Sequence, residues 1–153
     1  MNVFNLRLQM IRATEVKGEA FNLEGVGDPG FQASFQAEIT SDVDDLKVDG
    51  TFDTKLRFTC RTSASSDPFF LLSVTGNFQV KDEATIKELK NKNGAYQVAA
   101  LLFPYVRNLS VPILEHLGAA DVAFPFFLPA PPENSEKSNP VIAKRRPKEK
   151  SKP

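Results

Sequence analysis

The chain has 153 residues, zero formal net charge, 41% hydrophobic and 25% charged residues, a length and balance that argue for one domain able to bury a core without disulfide staples. Its single cysteine, Cys60, excludes an intramolecular disulfide and fits a reducing, cytoplasmic setting. The charge is uneven: from Glu133 onward seven basic residues face three acidic ones, so an acidic body of −4 carries a basic tail of +4.

The first ten residues alternate polar and apolar side chains, which is unlike a signal peptide with its charged start and apolar stretch. No apolar run approaches the roughly 20 residues that span a bilayer, so membrane insertion is not expected. Phe4, Leu6, Leu8 and Met10 are predicted to form the greasy face of a first strand. A long connection follows, with Phe21, Leu23, Val26 and Phe31 set among glycines and a proline that oppose regular structure. Phe31, Ala33, Phe35, Ala37 and Ile39 make one face of a second strand. Phe52, Thr54, Leu56, Phe58 and Cys60 make one face of a third, and Phe70, Leu72, Val74, Phe78 and Val80 one face of a fourth. Gly76 interrupts the fourth strand and reads as a bulge or bend. Four alternating strands imply an antiparallel sheet with one solvated face.

The period then changes. Asp82 is placed to cap a short helix from Glu83 to about Asn91. Asn93-Gly94 ends it, and apolar residues recur at helical spacing from about Ala95 to Leu117, with Gly118 as the C-cap. Pro104 and Pro112 each remove a helical hydrogen bond, so a break or kink is expected at both. Phe124-Pro-Phe-Phe-Leu-Pro129 follows as an extended apolar segment. Residues 1–130 form the domain. Residues 131–153 are too rich in proline and charge to offset ordering entropy, and read as a disordered tail apart from a contact by Val141 and Ile142.

Enzymatic chemistry finds little support. His116 is the only histidine, at the end of a predicted helix where a cation complements the dipole. A nucleophilic triad would need that same residue. Cys60 falls on an apolar strand face and reads as core. A zinc site needs about three or four ligands, and no glycine motif for phosphate is present. Asp44-Asp45 belongs to a solvated turn. The basic tail has the charge to touch nucleic acid but lacks the interleaved aromatics that stack on bases, so nucleic acid is not the expected partner. What remains is greasy, irregular chain: the connection from Phe21 to Phe31 and the segment Phe124 to Leu128. Such segments either fold back on the core, become subunit interfaces, or offer a groove to extended apolar peptide.

At Leu101-Leu-Phe-Pro-Tyr-Val-Arg107 the sequence resembles the SecB export-chaperone family, which carries Leu-Phe-Pro-Tyr-Ala-Arg at the same place in its long helix. The order of elements is similar too, from roughly Val3 to Pro129: four strands, a long crossover after the first, the helix, then a Phe-Pro turn at Phe124-Pro125. The resemblance implies an α+β fold, a four-stranded antiparallel sheet with a long C-terminal helix packed on one face. It implies a homotetramer, a dimer of dimers, with Phe103, Tyr105, Leu109 and Ile113 at the oligomer interface. It implies no cofactor and no catalysis, but a holdase that keeps unfolded preproteins export-competent in the cytoplasm. The family's grooves map onto Phe21, Leu23, Val26, Phe31, Phe124, Phe126 and Phe127. Its SecA-docking face maps onto Glu15, Glu19 and Leu71, but a glutamate two residues beyond that leucine is replaced by Ser73. The family's second helix has no counterpart here, because Pro129-Ala-Pro-Pro runs into the basic tail. Two other readings follow: a SecB-like chaperone dedicated to a toxin–antitoxin partner, and an oligomeric interaction protein whose tail contacts nucleic acid.

Overall fold

The computed structural model describes residues 5–19, 33–62, 67–119 and 122–130. Strands β1 (Leu6–Gly18), β2 (Ala33–Ser41), β3 (Thr51–Thr62) and β4 (Phe70–Val80) precede helices α1 (Glu83–Leu89) and α2 (Gly94–His116). The strands pair antiparallel in the order β1-β4-β3-β2, so the first two strands in sequence are the two edges. The α+β architecture expected from the sequence is the one observed. Phe4, the connecting residues Phe21, Leu23, Val26 and Phe31, and the tail from 131 to 153 lie outside the described residues.

Alternation decides which face is buried. Phe52, Thr54, Leu56, Phe58 and Cys60 of β3 and Phe70, Leu72, Val74, Phe78 and Val80 of β4 all point under α2 and are buried. Each such phenylalanine or leucine stabilises the fold by about 1.5–3 kcal/mol relative to an exposed position. Thr54 is fully buried yet satisfied, its hydroxyl 2.8 Å from that of Ser41. The opposite face was expected to be solvated throughout, but Thr59, Leu71 and Ser73 on it are buried. They occupy the two central strands, where Leu71 lies between Lys17 and Thr59, and Ser73 between Glu15 and Arg57.

β1 departs from the simple alternation. Its pairing with β4 shifts between Leu8 and Met10 and again between Ala13 and Glu15, one extra residue each time. The first bulge moves Met10 opposite Asn77, on the face away from the helices, and brings Ile11 beside Gly76 on the core face. The expected set of Leu6, Leu8 and Met10 therefore breaks after Leu8. Gly76 itself pairs regularly, with Ile11 on one side and Thr54 on the other, and is no bulge. Its role is close approach: a Cβ there would lie 2.6 Å from Cδ2 of Leu102 and 2.9 Å from Cε2 of Phe78. The missing side chain lets α2 settle onto the sheet.

The helices start and stop on local chemistry. Asp82 is extended and accepts the Thr85 amide at 2.7 Å, the predicted cap of α1. α2 ends as predicted at Gly118, whose φ of 83° suits glycine. Its amide donates to Glu115 O at 3.1 Å and the Ala119 amide to Leu114 O at 2.8 Å, a Schellman motif. The expected breaks at Pro104 and Pro112 do not occur: α2 is one helix of 23 residues. Its inward positions Val98, Ala99, Leu102, Phe103, Val106, Ser110 and Leu114 are buried. Both prolines stand on the outer side, and the carbonyls they deprive belong to exposed residues, Ala100 and Asn108, on the side open to solvent. α2 is also long and apolar enough to cross a membrane by length and composition, which corrects the expectation that no segment is. Here its apolar face closes the core.

Candidate functional site

After Ala119 the chain returns along α2, and residues 122–130 are held at two points. At the first, the Phe124 ring is half buried, 5.4 Å from Phe35, 5.2 Å from Phe58 and 6.1 Å from Phe103. Phe58 joins Phe35 at 5.4 Å and Phe103 at 5.7 Å, so one cluster ties β2, β3, α2 and the returning segment together. At the second, Leu128 is buried and its carbonyl accepts the Tyr96 hydroxyl at 2.8 Å. Between these anchors Phe126 and Phe127 stand 75% and 85% exposed. Two adjacent phenylalanines held outward by anchors on both sides form an apolar surface that the fold does not cover.

Arg107, on the neighbouring flank of α2, sets its guanidinium carbon 4.7 Å from the centre of the Phe126 ring. Its Nε is buried and has no hydrogen-bond partner. A second apolar strip runs along the outer side of α2, where Leu101, Tyr105 and Leu109 are exposed at intervals of four residues. On the edge strand Leu8, Met10 and Val16 are exposed too, but Met10 is on the face away from the helices and the other two are on the core face, so they form no single strip. Two open depressions of about 420 and 290 Å³ lie by the β2–β3 turn, lined by residues that include Asp42, Asp45, Leu46, Lys47 and Ile86 and by no phenylalanine.

The residues singled out from the sequence separate accordingly. Phe126 and Phe127 are outward, and Phe124 is the anchor beneath them. Of the four helix residues assigned to an interface, Tyr105 and Leu109 are exposed, Ile113 is half buried, and Phe103 belongs to the core. Of the three assigned to docking, Glu19 is exposed and Glu15 is half buried and paired with Lys17 at 3.2 Å. The hydrogen bond from Lys17, aided by the charges of Arg57 and Lys55, holds the Glu15 carboxyl below its ordinary range. Leu71 is only 4% exposed. Ser73, where the resembled family has a glutamate, is buried beside it. Sequence reading missed Arg107 and Leu101 as surface features. Both belong to the Leu-Phe-Pro-Tyr-Val-Arg stretch, but nothing in the spacing says which side of the helix the sheet will take.

The remaining candidates for chemistry stand in different settings. Cys60 is fully buried, and burial pushes its thiol up to about 12. His116 is exposed in the last turn of α2. Among the described residues no group of three or more His, Cys, Asp or Glu is placed to hold a metal.

A sheet of order β1-β4-β3-β2, with a long helix across one face and a returning apolar segment beside it, is a SecB-like fold. The chain is similar in structure to a SecB-like chaperone of Mycobacterium tuberculosis, solved in complex with a ChAD peptide from the HigA1 antitoxin. The TM-score is 0.53 at 13% sequence identity, over 79% of this chain and 90% of that one. No family model and no curated protein matches the sequence.

Proposed function

We propose that this chain is a divergent SecB-like chaperone, a holdase that binds non-native polypeptide and performs no catalysis. One observation carries the reading: Phe126 and Phe127 are presented outward on a segment anchored at Phe124 and Leu128, in a chain whose fold is shared with a peptide-binding chaperone. Apolar contact is non-directional, so an exposed aromatic pair can accept many sequences, each with modest affinity. The connecting residues Phe21, Leu23, Val26 and Phe31 are assigned to the same surface on sequence grounds. Leu101, Tyr105 and Leu109 on the outer side of α2 supply the face through which copies assemble, as a tetramer in this reading. The protein acts in the cytoplasm on unfolded preproteins. Docking to SecA rests on Glu15 and Glu19, since Leu71 is covered.

A second reading is favoured by the neighbour's bound peptide: a chaperone dedicated to one antitoxin-like client. Suppression of aggregation of an unfolded preprotein tests the shared claim. The wild-type chain is expected to delay aggregation and the Phe126→Asp/Phe127→Asp variant to do so several-fold less. A wild-type chain no better than an inert control refutes both readings. Client capture then separates them, many precursors in the first case and one small partner in the second.

A further inference from the structure

We propose that the face of the sheet turned away from the helices docks an acidic, extended segment of a partner protein, held between two rows of cations along β1 and β3. This face is separate from the Phe126–Phe127 surface, and its use does not depend on the reading given to that pair.

The two bulges of β1 make the first row. Arg7, Arg12 and Lys17 stand five residues apart, and residues five apart on an unbroken strand point to opposite faces. Each interval holds one extra residue, Gln9 in the first and Thr14 in the second, so all three cations pair with outward positions of β4: Gln79, Thr75 and Leu71. All three are exposed. Lys55, Arg57 and Arg61 make the second row on the same face of β3 by plain alternation, Lys55 exposed and the two arginines half buried. β4 lies between the rows and turns no charge outward. Two strand spacings set the rows about 9.6 Å apart. Arg7 to Lys17 spans the length of β4 from Gln79 to Leu71, about 27 Å at ~3.4 Å per residue.

Charge on this face runs against the rest of the body. Six cations meet three carboxylates, Glu15, Glu38 and Asp53, for a net +3. The body as a whole carries −4, so its other residues carry −7. The acidic excess lies elsewhere, and beyond a Debye length of about 8 Å salt screens most of it from a ligand on the sheet. The carboxylates of the face are already engaged: Glu15 with Lys17 at 3.2 Å, Glu38 with Arg57 at 3.6 Å, and Asp53 with the Asn77 amide at 2.7 Å. No ion pair among the described residues includes Arg7, Arg12 or Lys55. Arg12 and Lys55 flank Thr75 directly across the sheet, so a carboxylate above Thr75 meets a cation on either side.

A polypeptide fits this surface better than nucleic acid. The described strands turn no aromatic side chain to this face, so bases have nothing to stack on. Phosphates are charged at every nucleotide and cannot avoid the three carboxylates, whereas a polypeptide sets acids at some positions and neutral residues at others. Roughly eight to twelve residues of extended chain cover the length of the rows.

A labelled twelve-residue peptide carrying three Glu among serines and threonines, its Gln counterpart and a single-stranded thymidine oligonucleotide test this by fluorescence anisotropy with the full chain. Exposed ion pairs are each worth a factor of about 1.4 to 5, so three make the Glu peptide roughly three- to hundredfold tighter than the Gln peptide. The gap should narrow as salt is raised. Arg7→Gln/Arg12→Gln/Lys55→Gln should remove most of it, and Arg12→Gln alone a part. Lys47→Gln/Lys87→Gln/Lys92→Gln makes the same change in net charge on exposed cations away from this face and should leave the gap in place. Circular dichroism checks that each variant is folded. Equal affinities of the two peptides for the wild-type chain overturn the assignment. A gap that survives the triple sheet variant, as it would if the basic tail held the peptide, does so too, and so does a gap lost equally in the control variant. Tighter binding of the oligonucleotide than of the Glu peptide, lost in the sheet variant, would give the face to nucleic acid. Salt-sensitive self-association lost in that variant would give it to the acidic part of a second copy. Either result overturns the proposal.

Discussion

Phe124, Phe126 and Phe127 look interchangeable in the sequence, yet substitution at the first should act on stability and at the other two on binding. Phe124→Ala removes a half-buried ring that meets Phe35, Phe58 and Phe103 at 5.2–6.1 Å between centres. Full truncation of a buried phenylalanine costs about 3–5 kcal/mol. Half burial scales this to about 1.5–2.5 kcal/mol, part of it the aromatic contacts. Phe126→Ala loses only the Arg107 contact, about 0.5–1 kcal/mol at an exposed site. Phe127→Ala, at 85% exposure, should fall within about 0.5 kcal/mol of wild type. Urea titration followed by far-ultraviolet circular dichroism reads all three. With a slope of ~1–2 kcal/mol per molar, Phe124→Ala should lower the midpoint by about 1–2 M and the others by a few tenths. Equal midpoint losses for Phe124→Ala and Phe127→Ala would refute the two-anchor description of the segment.

Gly76→Ala should destabilise by about 1–2 kcal/mol through overpacking against Leu102 and Phe78, and should become neutral or favourable beside Leu102→Ala, where the new methyl fills space. Additivity of the two changes within ~0.5 kcal/mol in urea titrations would count against that contact. Asp82→Ala should lose stability at neutral pH but not in acid. Hydrogen bonds from the Thr85 amide and hydroxyl and from Asn5 hold the folded carboxyl below 3.8. Its contribution is therefore complete above that value and disappears as pH falls through the lower folded value. Thermal unfolding of both proteins from pH 7 to pH 2 should show converging midpoints. Cys60 should resist alkylation at pH 8.5 in the folded chain and react once urea opens it, because its thiol stays protonated up to about 12. Rapid labelling without denaturant would contradict its burial.

The periodicities in the sequence determined most of the architecture. A two-residue alternation repeated in β2, β3 and β4 assigns their buried faces without a partner in view, since a one-residue slip would expose every phenylalanine. Asp82 and Gly118 mark helix ends because capping is a local transaction between a side chain or a left-handed residue and the nearest amides. β1 escaped this logic: its two bulges are defined by the pairing with β4, and the residues at Gln9 and Thr14 carry no mark of them. Continuity of α2 through Pro104 and Pro112 was likewise beyond local reading, because packing of the inward face outweighs two missing hydrogen bonds that fall on the wet side. The same division governs the candidate site. Composition locates a greasy segment, Phe124 to Leu128, but only tertiary contacts determine that one ring is an anchor, two are offered to solvent, and an arginine from the helix lies against them. Those roles depend on distances between elements far apart in the chain, which no local pattern encodes.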